Sequence, residues 1–209
     1  MNPGFLCWIL ICISLILLAS GWKRTLLRDI PDPAIVLFFV GWCALGRLQL
    51  PLTGYGQANG IVLLLAVVVA AVWARQRTAL AGLHAVSFGL FLASVYYLLK
   101  HLGEVDPFFL PYRSGTGTSC VLGLIAALLV RRPQDQIACI SFAMLVGSAL
   151  YAIVHRERYG VSFGGLTFQD DWWMAIFAVR LLSVAGETAA GTVRDASKSL
   201  ANRWKGLKK

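Results

Sequence analysis

The sequence predicts an all-α integral membrane protein, a bundle of seven transmembrane helices with the N-terminus outside and the C-terminus in the cytoplasm. Three observations lead to this prediction. Seven apolar stretches alternate with short loops, and 58% of the 209 residues are hydrophobic. The Lys and Arg residues collect in every second loop. No connection exceeds about 20 residues, a length that suits a linker better than a folded soluble domain.

Six of the stretches are apolar enough to be predicted as spans from hydropathy. A spanning helix needs about 20 largely apolar residues, with about 17 as the lower limit. The stretches at 57–74 and 114–130 begin with small polar residues, but their centres are continuously aliphatic. The six predicted spans are residues 5–22, 33–48, 57–74, 80–99, 114–130 and 137–154.

The charge distribution decides whether the seventh stretch, from 172 to about 190, crosses the membrane. Arg180 at its middle costs about 2.5 to 3.5 kcal/mol on insertion scales, so hydropathy alone leaves this stretch open. If the stretch crosses, 13 of the 19 basic residues lie on one side of the membrane and 5 on the other, and the remaining one is Arg180 within the span. If it does not cross, the tail changes sides and the positive excess moves outside. The positive-inside rule therefore favours seven spans and a cytoplasmic tail.

The chain divides into a transmembrane bundle at 1–191 and a basic amphipathic cytoplasmic tail at 192–209. The tail places five apolar residues on one helical stripe flanked by Lys and Arg, which is typical of a helix in the membrane interface. A solvated basic tail is the alternative. The stripe consists of Val193, Ala196, Leu200, Trp204 and Leu207.

The net charge of +9 indicates lipid partners. Most of the positive excess lies in the loops and tail assigned to the cytoplasm, so anionic membrane lipids, and not nucleic acid, are the expected partner. The first span lacks the preceding positive charge of a signal peptide, so we expect it to remain uncleaved.

Ionisable residues inside the spans are the best guide to a functional site, because they are costly in lipid and normally face the bundle interior. Arg180, near the predicted midplane, shares a helix face with Ser183 and Glu187, and His84 lies on the fourth span. Glu187 is about 10 Å from Arg180 along the axis, so we expect the partner of Arg180 on another segment. The candidate intramembrane site is Arg180, Glu187 and His84. The alternative is that these groups join packed helices by hydrogen bonds.

A second candidate cluster lies on the outer face. It consists of His101, Glu104, Asp106, His155, Asp170 and Asp171. Imidazole and carboxylate groups can coordinate zinc, but nothing in the spacing makes these residues converge, and solvated loop charges are the alternative. We predict no metal site, cofactor or catalytic residue, since nucleophile-elbow, phosphate-loop and zinc-protease motifs are lacking. The five Cys residues have no Cys-x-x-Cys spacing and are interpreted as packing residues.

Two short motifs carry a family resemblance. They are Leu-Pro-Leu-Thr-Gly-Tyr at 50–55 and Ser-Val-Tyr-Tyr at 94–97, the latter followed by Glu-Val-Asp-Pro at 104–107. In these motifs, and in size and predicted crossings over most of its length, the chain resembles the YphA-like small membrane proteins of Gram-positive bacteria. The resemblance implies a bacterial plasma-membrane protein in a family without an assigned activity. It carries over no catalytic residue, and the last span with Arg180 is not matched to a family pattern.

Three functional classes follow from these observations. The first is a non-enzymatic multi-pass protein that serves as a partner or scaffold for other envelope proteins, favoured by the short loops and few buried charges. The second is a small transporter or channel with a polar path near Arg180, for which discontinuous helices and a polar cavity are expected. The third is a membrane-embedded enzyme that uses the outer His and carboxylate cluster.

Overall fold

The computed structural model describes residues 2–28, 30–52, 56–76, 78–105, 116–155 and 162–206. Each of the seven apolar stretches forms a helix, and a short additional helix follows the first one. The elements in chain order are α1 (Phe5–Ala19), α2 (Lys23–Leu26), α3 (Asp32–Leu45), β1 (Gln49–Leu52), β2 (Gly56–Asn59), α4 (Ile61–Ala74), α5 (Ala79–Val105), α6 (Thr116–Leu129), α7 (Pro133–Val154), β3 (Ser162–Phe163) and α8 (Leu166–Gly206).

The helices have the lengths and surface of a membrane bundle. Three contain segments long and apolar enough to cross a bilayer: Ala79–Gly103, Pro133–Val154 and Leu166–Arg194. The four shorter apolar helices, α1, α3, α4 and α6, have 14 or 15 residues. A helix of that length spans about 21 Å, which is less than the roughly 30 Å of the hydrocarbon core. Large apolar side chains such as Leu128 (77% exposed) cover the outside of the bundle, as lipid requires and water does not.

A small sheet, which the sequence analysis did not predict, interrupts the helical pattern. β1 pairs antiparallel with β2, and β2 pairs parallel with β3. Residues 57–59, assigned above to the third span, are therefore strand, and α4 begins at Ile61. The reason is local: the side chain of Asn59 accepts a hydrogen bond from the Ile61 N–H (3.0 Å) and donates one to the Gly46 carbonyl (2.9 Å). An Asn that binds the backbone two residues onward favours a turn, and here it fixes the start of the helix.

Small residues bring two helix pairs into close contact. A Cβ atom added at Gly123 on α6 would lie 2.9 Å from the Ala175 carbonyl oxygen on α8. A Cβ atom added at Gly147 on α7 would lie 3.0 Å from the Ala93 carbonyl oxygen on α5. Close approach at small residues is a principal source of helix association in lipid, where hydrophobic burial between helices contributes little. The α6–α8 and α5–α7 crossings therefore form the rigid part of the bundle.

We predict that Gly123→Ala destabilises the protein by about 1–3 kcal/mol, because the added methyl meets backbone that cannot move without separating α6 from α8. Thermal unfolding in detergent micelles measures the effect. Gly82→Ala is the matched control, since Gly82 on α5 has open space around it. Equal unfolding temperatures for the two variants would show that the α6–α8 crossing tolerates a wider separation.

α3 packs against α8 through large aromatic side chains. The rings of Trp42 and Trp172 lie 4.9 Å apart, and those of Phe39 and Trp173 are stacked at 5.9 Å. Phe38 lies between these pairs, with its ring 5.7 Å from that of Trp172. Because long side chains and not small residues fill this contact, the helix backbones stay apart and leave room for the cavity described below.

Candidate functional site

Arg180 is the most informative polar residue of the structure. It lies on α8 and is only 5% exposed. Counted from Leu166, it is about 21 Å along the helix. Its side chain reaches α2, at the end of the bundle that also bears the loops with Arg75, Arg131 and Arg132. We refer to this end as the basic end. The Arg180 side chain thus extends toward the basic end.

Three hydrogen bonds hold the Arg180 guanidinium. Nε donates to the Leu26 carbonyl (2.7 Å), Nη2 to the Thr25 carbonyl (3.2 Å) and Nη1 to Oε1 of Gln136 (2.6 Å). Thr25 and Leu26 are the last two residues of α2. Carbonyl groups at the C-terminus of a helix lack intrahelical partners and favour a nearby cation. Arg180 therefore caps α2 from a distant part of the chain.

Gln136 is the second member of this network and is fully buried. Its Nε2 donates to the Val130 carbonyl (2.6 Å) and to the Ser183 hydroxyl (2.7 Å). One side chain on α7 thus joins the end of α6 to α8. Sequence analysis missed Gln136 because it began the sixth span at 137. The available signal was Pro133, since Pro favours the first position of a helix and would have placed Gln136 in the first turn of α7.

At the opposite end of the bundle, Asp170 caps α1. Its Oδ2 accepts a hydrogen bond from the Gly4 N–H and its Oδ1 one from the Cys7 N–H, both at 2.6 Å. Gly4 precedes the first turn of α1 with a φ of 89° and has no side chain with which to cap it. A carboxylate is also favoured at the positive end of the helix dipole. Opposite charges on α8 therefore bind the N-terminus of α1 and the C-terminus of α2.

The three residues of the intramembrane candidate do not share one cavity. His84 on α5 and Glu187 on α8 are both exposed, whereas Arg180 is buried. Glu187 acts on Arg180 electrostatically, but the guanidinium donates to Gln136 and to the carbonyls of α2. The partner of Arg180 is on another segment, as expected from the distance to Glu187.

The outer-face candidates are brought together only in part. The rings of His101 and His155 lie 5.6 Å apart, while Asp170 is engaged with α1. Asp171 is buried near Lys100, which acts on it electrostatically. The Glu104 side chain and Asp106 lie outside the described residues. Within the described ranges, no three His, Cys, Asp or Glu residues are grouped so as to hold a metal ion.

Near these residues, α5 and α7 meet through polar contacts that were not predicted individually. The Lys100 ammonium lies 4.9 Å from the ring centre of Tyr151 and 5.6 Å from that of Tyr96, within the range of cation–π attraction. Ser148 donates to the Tyr96 hydroxyl at 3.5 Å. Nearer the N-terminus of α7, Ser141 accepts a hydrogen bond from Nε1 of Trp172 on α8 at 3.1 Å. These two serines thus join neighbouring helices by hydrogen bonds.

A cavity of about 260 Å³ opens beside Arg180. Side chains of α1, α3, α4, α7 and α8 and of the chain between α1 and α3 line it, and nearly all of them are apolar. The exceptions are Ser14, Arg75, Gln134 and Arg180. Neither His84 nor Glu187 borders this cavity.

Together, the fold and its buried charges define a helical integral membrane protein whose polar side chains hold helices in place. Over residues 4–205 the chain matches the family described as YphA-like integral membrane protein, and it belongs to that family. The resemblance and the membrane location predicted from the sequence are thereby confirmed. The family description names no reaction or ligand. No curated protein and no solved structure matches the chain.

Proposed function

We propose that the protein is a non-enzymatic multi-pass membrane protein that acts through contact with another protein at the membrane. The observation that carries this proposal is the length of α8. It runs without interruption for 41 residues, about 61 Å, roughly twice the thickness of the hydrocarbon core. Its residues 185–194 are all exposed. A helix extended this far beyond its own bundle offers a surface that no other described element covers.

The buried polar groups hold helices together, and this favours the proposed contact function over a transport function. A transporter needs a polar cavity at its substrate site. Here Arg180 and Gln136 are hydrogen-bonded to each other and to helix ends, and Asp170 accepts from the start of α1. The cavity beside Arg180 is lined mainly by apolar side chains. These groups contribute to helix packing. A polar path for a substrate would therefore need other polar side chains.

Photo-crosslinking in intact membranes tests the proposed contact. A photoreactive residue at Val193, which is 69% exposed on the extension of α8, is expected to give a discrete adduct with a second protein. Leu128 on α6 is the matched control, because it is equally exposed but belongs to the apolar surface of the bundle. It should give lipid adducts only. The same adducts from both positions would contradict a protein-binding role for α8.

The proposed orientation has seven spans, with the N-terminus outside and the basic tail in the cytoplasm. It is supported by the charge distribution, because Arg24 lies in α2 and the connections after α4 and before α7 carry Arg75 and Arg131, all at the basic end. We expect an impermeant thiol reagent added to whole cells to label a Cys placed at Asn2 and to spare one placed at Lys209. The background protein has Ala at its five native Cys positions. Strong external labelling at Lys209 would reject the seven-span arrangement.

A further inference from the structure

The cavity beside Arg180 has an arginine end and an aromatic end. Along α8 it extends from Trp173 to Leu181, and along α4 and the residue that follows it from Val68 to Arg75. These intervals of eight and seven residues make the cavity about 10 to 12 Å long. Both arginines lie at the basic end, while Phe38 and Trp173 lie at the inner end. A long cavity with charge at one end has the polarity of an amphiphile.

The inner part of the cavity favours an apolar occupant. An engineered protein cavity of about 150 Å³ lined by apolar side chains stays dry and binds benzene, and this cavity is larger, at about 260 Å³. Its lining residues Ala34, Ala71 and Leu181 are exposed apolar side chains, and acyl chains are the solvent around the apolar surface of a membrane protein. An acyl chain therefore matches the inner part in both shape and chemistry.

The basic end favours a phosphate group. Arg75 is exposed, and no side chain or carbonyl in the described ranges pairs with its guanidinium group. Arg180 uses three hydrogen bonds internally, and a guanidinium carries more N–H groups than these. Arginine is well suited to phosphate because it can donate two parallel hydrogen bonds to its oxygens.

We propose that this cavity is a binding site for one anionic phospholipid, with an acyl chain between α3, α4 and α8 and the phosphate at Arg75 and Arg180. The assignment is independent of the proposed protein partner, because it concerns a different surface. It goes beyond general attraction of basic loops to anionic headgroups, since it requires one defined position for the chain.

Native mass spectrometry of the full-length protein tests the assignment. The protein is released from detergent with equal amounts of phosphatidylglycerol and phosphatidylcholine that carry identical acyl chains. We expect retained phosphatidylglycerol to exceed phosphatidylcholine on the wild-type protein. Arg75→Gln should reduce that preference about tenfold, the factor expected from loss of one charge-assisted hydrogen bond. Arg131→Gln is the control, because Arg131 is exposed at the same end but does not border the cavity.

A second pair of variants tests the chain position. Ala71 borders the cavity, whereas its neighbour Ala70 is equally exposed on α4 and does not. Ala71→Phe should abolish retention, and Ala70→Phe should leave it unchanged. If Ala71→Phe lowers the unfolding temperature, Ala34→Leu on the α3 wall repeats the test. Equal retention of both lipids, equal effects of the two Phe variants, or equally tight binding of glycerol 1-phosphate, which has no acyl chain, would each overturn the assignment.

Discussion

Arg180→Leu is expected to lower the free energy of unfolding by about 2–4 kcal/mol, because it removes the charged donor from one buried and two part-buried acceptors at once. The Thr25 and Leu26 carbonyls lose the cation that caps α2, and Oε1 of Gln136 is left without its donor. Arg180→Lys should restore only part of the loss, since an ammonium cannot reproduce the planar arrangement of guanidinium donors. Thermal unfolding in detergent micelles measures both variants.

A double-mutant cycle separates the Gln136 contact from the capping of α2. Gln136→Leu and the double variant Arg180→Leu/Gln136→Leu complete the cycle. We expect the double variant to be less destabilised than the sum of the single ones by about 1–3 kcal/mol, because residues in one network are not additive. Glu187→Leu is the control on the same helix, since Glu187 is exposed. Stability of Arg180→Leu at or above that of the wild type would show that the guanidinium is a burden to the fold.

Asp170→Ala is expected to cost about 1–2 kcal/mol and to loosen the start of α1, since it leaves the Gly4 and Cys7 N–H groups without their acceptor. The Cys7 thiol is buried in the first turn of α1 and reports this directly. In a protein with Ala at Cys12, Cys43 and Cys120, which are exposed, we expect Asp170→Ala to increase the rate at which a maleimide labels Cys7.

The experiment contains its own reference. Cys139 is buried on α7 and does not contact Asp170, so its labelling rate should stay unchanged. Faster labelling of both thiols would indicate general loosening of the bundle. Unchanged labelling of Cys7 would mean that α1 holds its first turn without the carboxylate.

Hydropathy predicted six of the seven long helices, because a spanning segment must be apolar over most of its length whatever it packs against. The charge distribution predicted the seventh, and the short α2 was not predicted. The boundaries depended on single polar side chains. Asn59 moved the start of the third helix from the predicted residue 57 to Ile61 by binding the backbone there. Pro133 extended α7 by four residues, and thereby brought Gln136 into the bundle.

The arrangement of the helices was less accessible to prediction. In lipid, an apolar face does not indicate which neighbour it contacts, and association depends on small residues and individual hydrogen bonds. His84 illustrates this: an ionisable residue in a span was expected to face inward, yet it is exposed on α5. Arg180 was identified as costly without a partner, but its acceptors are backbone carbonyls and a Gln amide, groups that a search for opposite charges overlooks.

Because α8 is continuous, it can transmit a movement from one end of the protein to the other. No Pro interrupts the helix between Leu166 and Gly206, so its two ends move as one body, apart from bending at Gly186 and Gly191, which have open space around them. Asp170 and Arg180 bind α8 to α1 and α2. Beyond Arg180 the helix continues to Gly206 over about 39 Å, so a change in tilt of about 10° at Arg180 displaces its far end by about 7 Å. A small rearrangement of α2 would therefore reach the basic tail as a movement about as large as the diameter of a side chain.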